Sequence, residues 1–574
     1  MMNNGILLAD LTRCEPRDAI SRDGRDGTWI AVDYVLGEGA GTMLMSTPES
    51  GAPDLTLTLV ANGWHEIRLG IYYGGGAGTP GDRFLCAKLT GDAAFSRFGR
   101  EVHNRKDGTY PEKQIGGFDI AEVFWRCADL AGQDLVFARP PRGKVAEYES
   151  CLAYVRLVPM DETAVAAWHR EQPTAGTSVL IGNYDGGNIS QWGVSTEQDV
   201  LAEFECMRDS DFDIALYAVA ACCRVGYPSK VADYHDNEWA RRRRENGVDL
   251  LAEAIGAAHE CGVKLFPQNR LCGLNLPPRS HRDVHRGEFI AEHPQWLCRF
   301  HDDEPTRHLS LAYPGVRDFY VRMFREWVED YRADGVNVLF SRSFPFAYYE
   351  QPVRKAFEAE YGEDMRKVPQ DDRRTWKARA TFVTQFLREI RAMLDEVGRA
   401  QGRELANCYL VPHGNAQPGF PYETAKAPLD EPLHAALDCE TWIREGLVDY
   451  LVLHMHFYME HDGSPYREVI EEYARLAKGT KTKIIADIYP RRLPPRVYRK
   501  IAMTYYDAGA DGLAFWDSYG RYYRSSEWAF VKRLGHRDDL PRWEGKGDDY
   551  FRVLPLERLD EFVTGRLLSG PTDG

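Results

Sequence analysis

Between Ser178 and Trp516 short apolar runs alternate with helical patterns, and that alternation leaves few architectures open. Its clearest unit is the stretch His308 to Glu350. Pro314 stands where the first turn of a helix tolerates a residue lacking an N–H. Val316, Phe319, Tyr320, Met323, Trp327 and Tyr331 then recur with the spacing of one helical face. Arg332-Ala333-Asp334-Gly335 ends the helix, with Gly335 expected to relieve the turn. Val336 to Phe340 is too short for a helix and β-branched enough for a buried strand. A helix feeding an apolar strand is half of a βαβ unit, so the number of copies decides the fold.

Eight candidate strands can be counted: Ser178 to Tyr184, Phe212 to Val219, Val263 to Gln268, Val336 to Phe340, Glu404 to Val411, Val448 to Phe457, Lys483 to Tyr489 and Gly512 to Trp516. Helical patterns such as Leu250 to Cys261, Arg379 to Gly398 and Val497 to Ala508 separate them. The count predicts an α/β fold, a (β/α)8 TIM barrel over residues 177–540 with enlarged loops after strands 3 and 4. Residues 1–160 carry short alternating segments broken by Asn62-Gly63 and Gly74-Gly75-Gly76, which predicts an antiparallel β-sandwich accessory domain. Binding carbohydrate and buttressing the barrel are equally open roles for it. Residues 161–176 read as a linker and 541–574 as a C-terminal extension with at most a strand and a short helix.

Composition narrows the partners. With 71 Lys and Arg against 87 Asp and Glu, the net charge of −16 disfavours nucleic acid and anionic membrane, which demand basic surface. A neutral ligand such as a sugar tolerates it. No apolar run reaches the ~20 residues of a membrane-spanning helix. The opening MMNNGILLADLTRCEP lacks a basic segment and a sufficient apolar core, so a cytoplasmic location is expected unless a leader has been removed. The 12 cysteines, including adjacent Cys222-Cys223, follow no repeated spacing and read as reduced thiols. No Gly-rich phosphate loop or G-x-S-x-G elbow stands out, and no cofactor is expected.

Three stretches resemble bacterial glycosidase-like barrel proteins, the family-10-like glycoside hydrolases. Leu309 to Asp318 (LSLAYPGVRD) is similar to their L-N-P-A-x-P-x-V-R-D segment, and Tyr331 to Val336 (YRADGV) to their Y-x-x-D-G-I. Thr441 to Tyr450 (TWIREGLVDY) is similar to their W-x-x-x-G-L-V-D-Y. The resemblance implies a TIM-barrel glycosidase with carboxylate catalysis. It also implies an Asp ending strand 4 in a D-G-I-x-x-D pattern. This chain runs Val338-Leu339-Phe340-Ser341-Arg342 there and has no carboxylate.

Barrel enzymes keep their chemistry at the C-terminal ends of the strands. That rule assigns Asp334, Asp449 and Asp511, which precede strands 4, 6 and 8, to turns and caps. Glycoside cleavage needs one carboxyl to protonate the leaving oxygen and another to attack or to activate water. Asp487, late in strand 7, is the first candidate; its bland alternative is an ion pair with Arg491 or Arg492. Glu350, in the aromatic loop after strand 4, and Asp517, closing strand 8, are the others. Candidate substrate contacts are Tyr184, Asp185, Arg270, Arg342, His413, His454, His456, Tyr458 and Trp516. His454 and His456 lie two apart on strand 6 and so share a side.

A glycoside hydrolase acting on a small glycoside or oligosaccharide is the leading expectation. A metal-dependent barrel hydrolase or sugar isomerase built on His454 and His456 is a second. A non-catalytic carbohydrate-binding barrel is a third, kept open by the missing strand-4 Asp. Oligomeric state is open, with a homodimer through the accessory domain as one option.

Overall fold

The computed structural model describes residues 5–72, 83–99, 119–140, 148–174, 176–186, 193–271, 287–341, 344–413, 428–455, 466–489, 493–516 and 524–560. Eight parallel strands close on themselves: β1 (Val179–Tyr184), β2 (Phe212–Ala221), β3 (Lys264–Arg270), β4 (Gly335–Leu339), β5 (Ala406–His413), β6 (Tyr450–Met455), β7 (Lys483–Asp487) and β8 (Gly512–Trp516). Each pairs with its successor, and β1 pairs with both β2 and β8, which closes the barrel. The expected (β/α)8 architecture is therefore present. Alternation along each strand divides the side chains. Ile181, Leu216, Phe266, Leu339, Leu410, Val452 and Ile485 fill the lumen. Leu180, Leu265, Val338, Val411, Leu453, Ile484 and Phe515 face the helices.

The foot of the barrel is held by carboxylates in a regular pattern. Asp213 of β2 accepts the Leu180 N–H of β1 at 3.2 Å. Asp334, before β4, accepts the Leu265 N–H of β3 at 2.9 Å. Asp449, before β6, accepts the Asn407 N–H of β5, and Asp511, before β8, the Ile484 N–H of β7, each at 2.9 Å. Every even strand thus brings a carboxylate that clamps the start of the odd strand before it.

Helix α1 (Glu162–Arg170) occupies the stretch read as a linker; the Asp161 side chain caps it by accepting the Ala164 N–H at 2.8 Å. Helix α2 (Glu197–Glu205) follows β1, helix α3 (Pro314–Glu329) precedes β4 and helix α4 (Arg373–Gln401) precedes β5, with Pro314 at the first turn of α3 and Val316, Phe319, Tyr320, Met323 and Trp327 buried. The turn after α3 corrects one expectation. The left-handed residue is Arg332, at φ 65°, not Gly335. Gly335 is needed for proximity instead: a Cβ there would stand 2.3 Å from the Ala406 carbonyl oxygen. No described helix is long and apolar enough to cross a membrane.

The N-terminal region packs a nine-stranded sheet on a four-stranded one. The tail does not stand apart as an extension. Strand β9 (Phe551–Leu559) inserts between Asp119–Asp129 and Trp29–Leu36, antiparallel to both. A buried charge cluster fixes it. Glu122, fully buried, accepts Arg552 Nε and Nη2 on Oε1 at 2.9 and 2.7 Å. Its Oε2 accepts Arg156 Nε at 2.7 Å and the Tyr154 hydroxyl at 2.9 Å. Burial raises the Glu122 carboxyl, but the two guanidiniums outweigh it and hold the group below the ordinary range. The chain's end therefore ties the accessory domain to the barrel that precedes it. Helix α5 (Ser525–Val531), after β8, packs on Asp119–Asp129, and Ser525 Oγ donates to the Phe124 carbonyl at 2.8 Å.

Removing Glu122 leaves two arginines facing each other, and Glu122→Ala is expected to cost about 3–5 kcal/mol. A carboxyl held below its unfolded pKa stabilises fully above about pH 4.3 and loses that contribution as pH falls through the folded value. Thermal melts between pH 3 and 7 check both points. Stability should decline on the acid side in the wild-type chain and decline less in Glu122→Gln; parallel curves would refute the role.

Candidate active site at the mouth of the barrel

Strands β6, β7 and β8 bring three predicted residues together at the C-terminal end of the barrel. The Asp487 carboxylate closes β7, where strand alternation turns it, like Ile485, into the lumen. Its Oδ2 lies 2.5 Å from His454 Nδ1 on β6, and its Oδ1 accepts the Trp516 backbone N–H of β8 at 3.2 Å. With the carboxylate ionised, Nδ1 carries the proton, which leaves Nε2 as the acceptor nitrogen of the imidazole. The Trp516 ring packs against the imidazole at a centroid distance of 4.1 Å. Tyr489, not anticipated from the sequence, meets the same imidazole edge-on at 5.1 Å. Asp487, His454 and Trp516 are each at most 1% exposed, whereas Tyr489 is half-buried. The Trp516 ring is thus taken up in holding His454, and Tyr489 is the aromatic nearer to solvent.

Strands β1 and β3 supply a second polar group. Asp185 pairs with Arg270, and Gln268 Nε2 donates to Asn183 Oδ1 at 2.8 Å. Asn183 and Gln268 escaped the sequence reading, although the period of two that turns Ile181 and Phe266 inward points them the same way. That period also corrects two candidates. Tyr184 faces the helix layer, with its hydroxyl on the Glu203 carbonyl and its ring against Phe204 and Tyr217. His413 shares the outward side of Tyr409 and Val411 and packs edge-on against Tyr473 at 5.4 Å. Burial, with a smaller contribution from His454, pushes the His413 imidazole down to about 3, so it stays neutral there.

Glu350 is a wall residue rather than a lumen acid. Its Oε1 accepts the Ser310 hydroxyl and the Tyr348 N–H, at 3.0 Å for the latter. Its Oε2 accepts the Tyr348 and Arg299 N–H groups at 3.1 and 3.3 Å. These bonds pin the aromatic loop after β4 to the hairpin formed by Leu297–Arg299 and Pro305–Leu309. The side chain is fully buried, and burial holds its carboxyl above the ordinary range despite these hydrogen bonds. On β4 itself, Leu339 occupies the place of the second Asp in the D-G-I-x-x-D pattern and belongs to the lumen's apolar cluster. Asp517, Arg342, His456 and Tyr458 lie outside the described residues. Among the described residues no group of three or more His, Cys, Asp or Glu side chains is arranged to hold a metal ion.

Comparison with curated proteins gives no match. Among solved structures the chain is similar to a β-galactosidase from the psychrophilic Marinomonas ef1, at 12% identity over 65% of this chain and 61% of that one, with a TM-score of 0.36. It is similar to the GH36 α-galactosidase AgaA from Geobacillus stearothermophilus at 10% identity over 86% and 64% of the two chains, with a TM-score of 0.33. A noncanonic maltogenic α-amylase, AmyB from Thermotoga neapolitana, is similar at 13% identity over 62% and 75%, with a TM-score of 0.33. The chain spans about three fifths of the length of these galactosidases. The glycosyl hydrolase-like 10 profile matches residues 190–504, from the loop after β1 to the approach to β8. That match covers more than half of the sequence, and the chain belongs to the glycosyl hydrolase-like 10 family.

Proposed function

We propose that the protein is a glycoside hydrolase acting on a small glycoside or oligosaccharide, with Asp487 as the carboxylate that attacks the anomeric carbon or activates water. The observation that carries this reading is the aim of Asp487: both of its oxygens are held, one by His454 Nδ1 and one by the Trp516 N–H. Two N–H groups directed at the carboxylate fix its position and orientation, which suits the nucleophile or base of a glycosidase. Oriented this way, the group needs no rearrangement as positive charge develops on the sugar ring. Asp517 follows Trp516 directly in the chain and is the proposed acid that protonates the leaving oxygen. The Asp185–Arg270 pair, with Asn183 and Gln268, supplies acceptors and donors for sugar hydroxyls, and Tyr489 an aromatic face.

A panel of aryl glycosides and oligosaccharides, run with and without EDTA, tests the assignment. Asp487→Asn should lower kcat by about 10³-fold with an unchanged melting curve, within the range for losing a positioned acid or base. Turnover that survives this change, or that EDTA abolishes, would remove Asp487 from the centre of the mechanism and favour metal chemistry around His454. Sugar binding without turnover anywhere in the panel would favour a binding protein.

Glu350 gives the contrasting case. Glu350→Gln keeps the shape but replaces one acceptor oxygen by a donor facing other donors. It should lower unfolding stability by about 1–3 kcal/mol while changing kcat less than tenfold. Chemical denaturation and steady-state kinetics on the same preparation check this, and a kcat loss like that of Asp487→Asn would return Glu350 to the catalytic pair.

A further inference from the structure

A cavity of about 500 Å³ lies between the accessory domain and the barrel, on the flank formed by α1, α2 and α5 and away from Asp487. Its size falls within the ordinary range for small-molecule sites. Its floor is aromatic: Trp64 and Trp125 come from the accessory sheet, Trp168 from α1 and Trp528 from α5. The indole N–H groups of two of these rings are already satisfied. Trp125 donates to Ser96 Oγ at 3.2 Å and Trp528 to the Cys206 carbonyl at 2.6 Å. The Trp528 ring also stacks on Phe212 at 5.0 Å, which holds it rigid. Trp125 and Trp528 are nearly buried and rigid, and the half-buried Trp64 and Trp168 have the apolar area left over that the C–H face of a pyranose packs against.

The polar lining has donors left over. Arg126 gives Nη2 to both Asp92 oxygens at 2.7 Å, yet its buried Nε–H has no partner. Lys532, half-buried at the end of α5, has no hydrogen-bond or ion-pair partner for its amine among the described residues. Asp209 attracts it without bonding to it, and Arg533 opposes it. An amine that lines a Trp-rich cleft and is bonded to no acceptor among the described residues has donors to offer an anionic ligand.

We infer that this interdomain cavity is a second saccharide site, separate from the catalytic mouth, and that it takes a sugar bearing a carboxylate, with the ring on the tryptophan floor and the carboxylate on Lys532 and Arg126. The saccharide part of this assignment rests on the glycosidase reading; the carboxylate part rests on the orphan donors. Burial, with Arg533 adding to it, pushes the Lys532 amine down to about 7, and an anionic partner would restore its charge. A ligand seated there touches the accessory strand Asp119–Asp129 and α5 together. Since α5 is the helix that follows β8, occupancy would brace the β8 flank of the mouth.

Isothermal titration of the full chain with digalacturonate and with its neutral counterpart galactobiose tests the inference. Digalacturonate should bind at a site that Ala128→Trp fills and abolishes, and that Lys532→Met weakens at least tenfold. Galactobiose should bind that site at least tenfold more weakly. Both variants should keep the glycosidase turnover of the parent chain, since neither residue touches the mouth. Binding that neither variant alters would overturn the site while leaving the Asp487 reading untouched. Equal affinity for the neutral disaccharide would overturn the carboxylate preference, and competition by acetate as strong as that of digalacturonate would reduce the site to a simple anion pocket. If Ala128→Trp fails to fold, Lys532→Met with an unchanged melt carries the same decision.

Discussion

Four carboxylates at the foot of the barrel set the register on which the rest of the molecule depends. Asp213, Asp334, Asp449 and Asp511 sit on or before the even strands, and each takes the N–H of the second residue of the odd strand beside it. A one-residue slip in a strand reverses which side chains face the lumen, so clamping strand starts in pairs is an economical way to specify the whole cylinder. The close approaches at Gly335 and Gly512 belong to the same device. A Cβ at either would stand 2.3 Å from a carbonyl oxygen of the neighbouring strand, so the Asp-Gly pair couples a clamp to the space the clamp requires.

The consequences appear at the opposite end. Because β7 starts where Asp511 holds it, Ile485 and Asp487 face the lumen, and β6 presents Val452 and His454 on the same side. A carboxylate fixed to within a hydrogen bond on two sides needs three strands in register, and β6, β7 and β8 provide them. The accessory domain depends on the barrel in turn. Its sheet is completed by β9, which the chain reaches only after the barrel is finished, and the Glu122 cluster buries the charge that holds the strand in place.

The eight strands were legible in the sequence to within about two residues at most ends, since apolar β-branched runs between helical patterns leave little choice. That Asp334, Asp449 and Asp511 lie away from the mouth is legible too, because Asp before a strand stands at the wrong end for barrel chemistry, but the sequence points to turns and caps where the structure has clamps on the neighbouring strand. What escaped was long-range. Nothing in residues 551–559 announces that their partners lie near residues 30 and 120, some four to five hundred positions earlier in the chain. Helix α1 reads as linker in the sequence because it is short and its apolar side, with Val165 and Trp168, packs without burying any residue fully. At the site, Asp487 and His454 were named separately, but their pairing depends on the stagger between β6 and β7. Tyr184 and His413 stand at strand ends, but the alternation of side chains turns both outward.

The two buried carboxyls near the mouth show why burial alone does not identify a catalytic group. Glu350 and Asp487 are both almost inaccessible, and both accept hydrogen bonds on each oxygen. The difference lies in what the donors belong to. Those around Glu350 are the Ser310 hydroxyl and the amides of Arg299 and Tyr348, so its bonds hold the hairpin and the loop together. Those around Asp487 include an imidazole that has a second nitrogen, itself packed between an indole and a phenol. A carboxylate whose partner can pass or accept a proton at its far side is chemically connected to its surroundings in a way that one bonded to backbone amides is not. Strand β4, where the family pattern would set an aspartate, carries Leu339 in the apolar packing of the lumen. Leu339 leaves that wall of the barrel without charge, and among the described residues the carboxylates at the strand ends are Asp185 after β1 and Asp487 on β7.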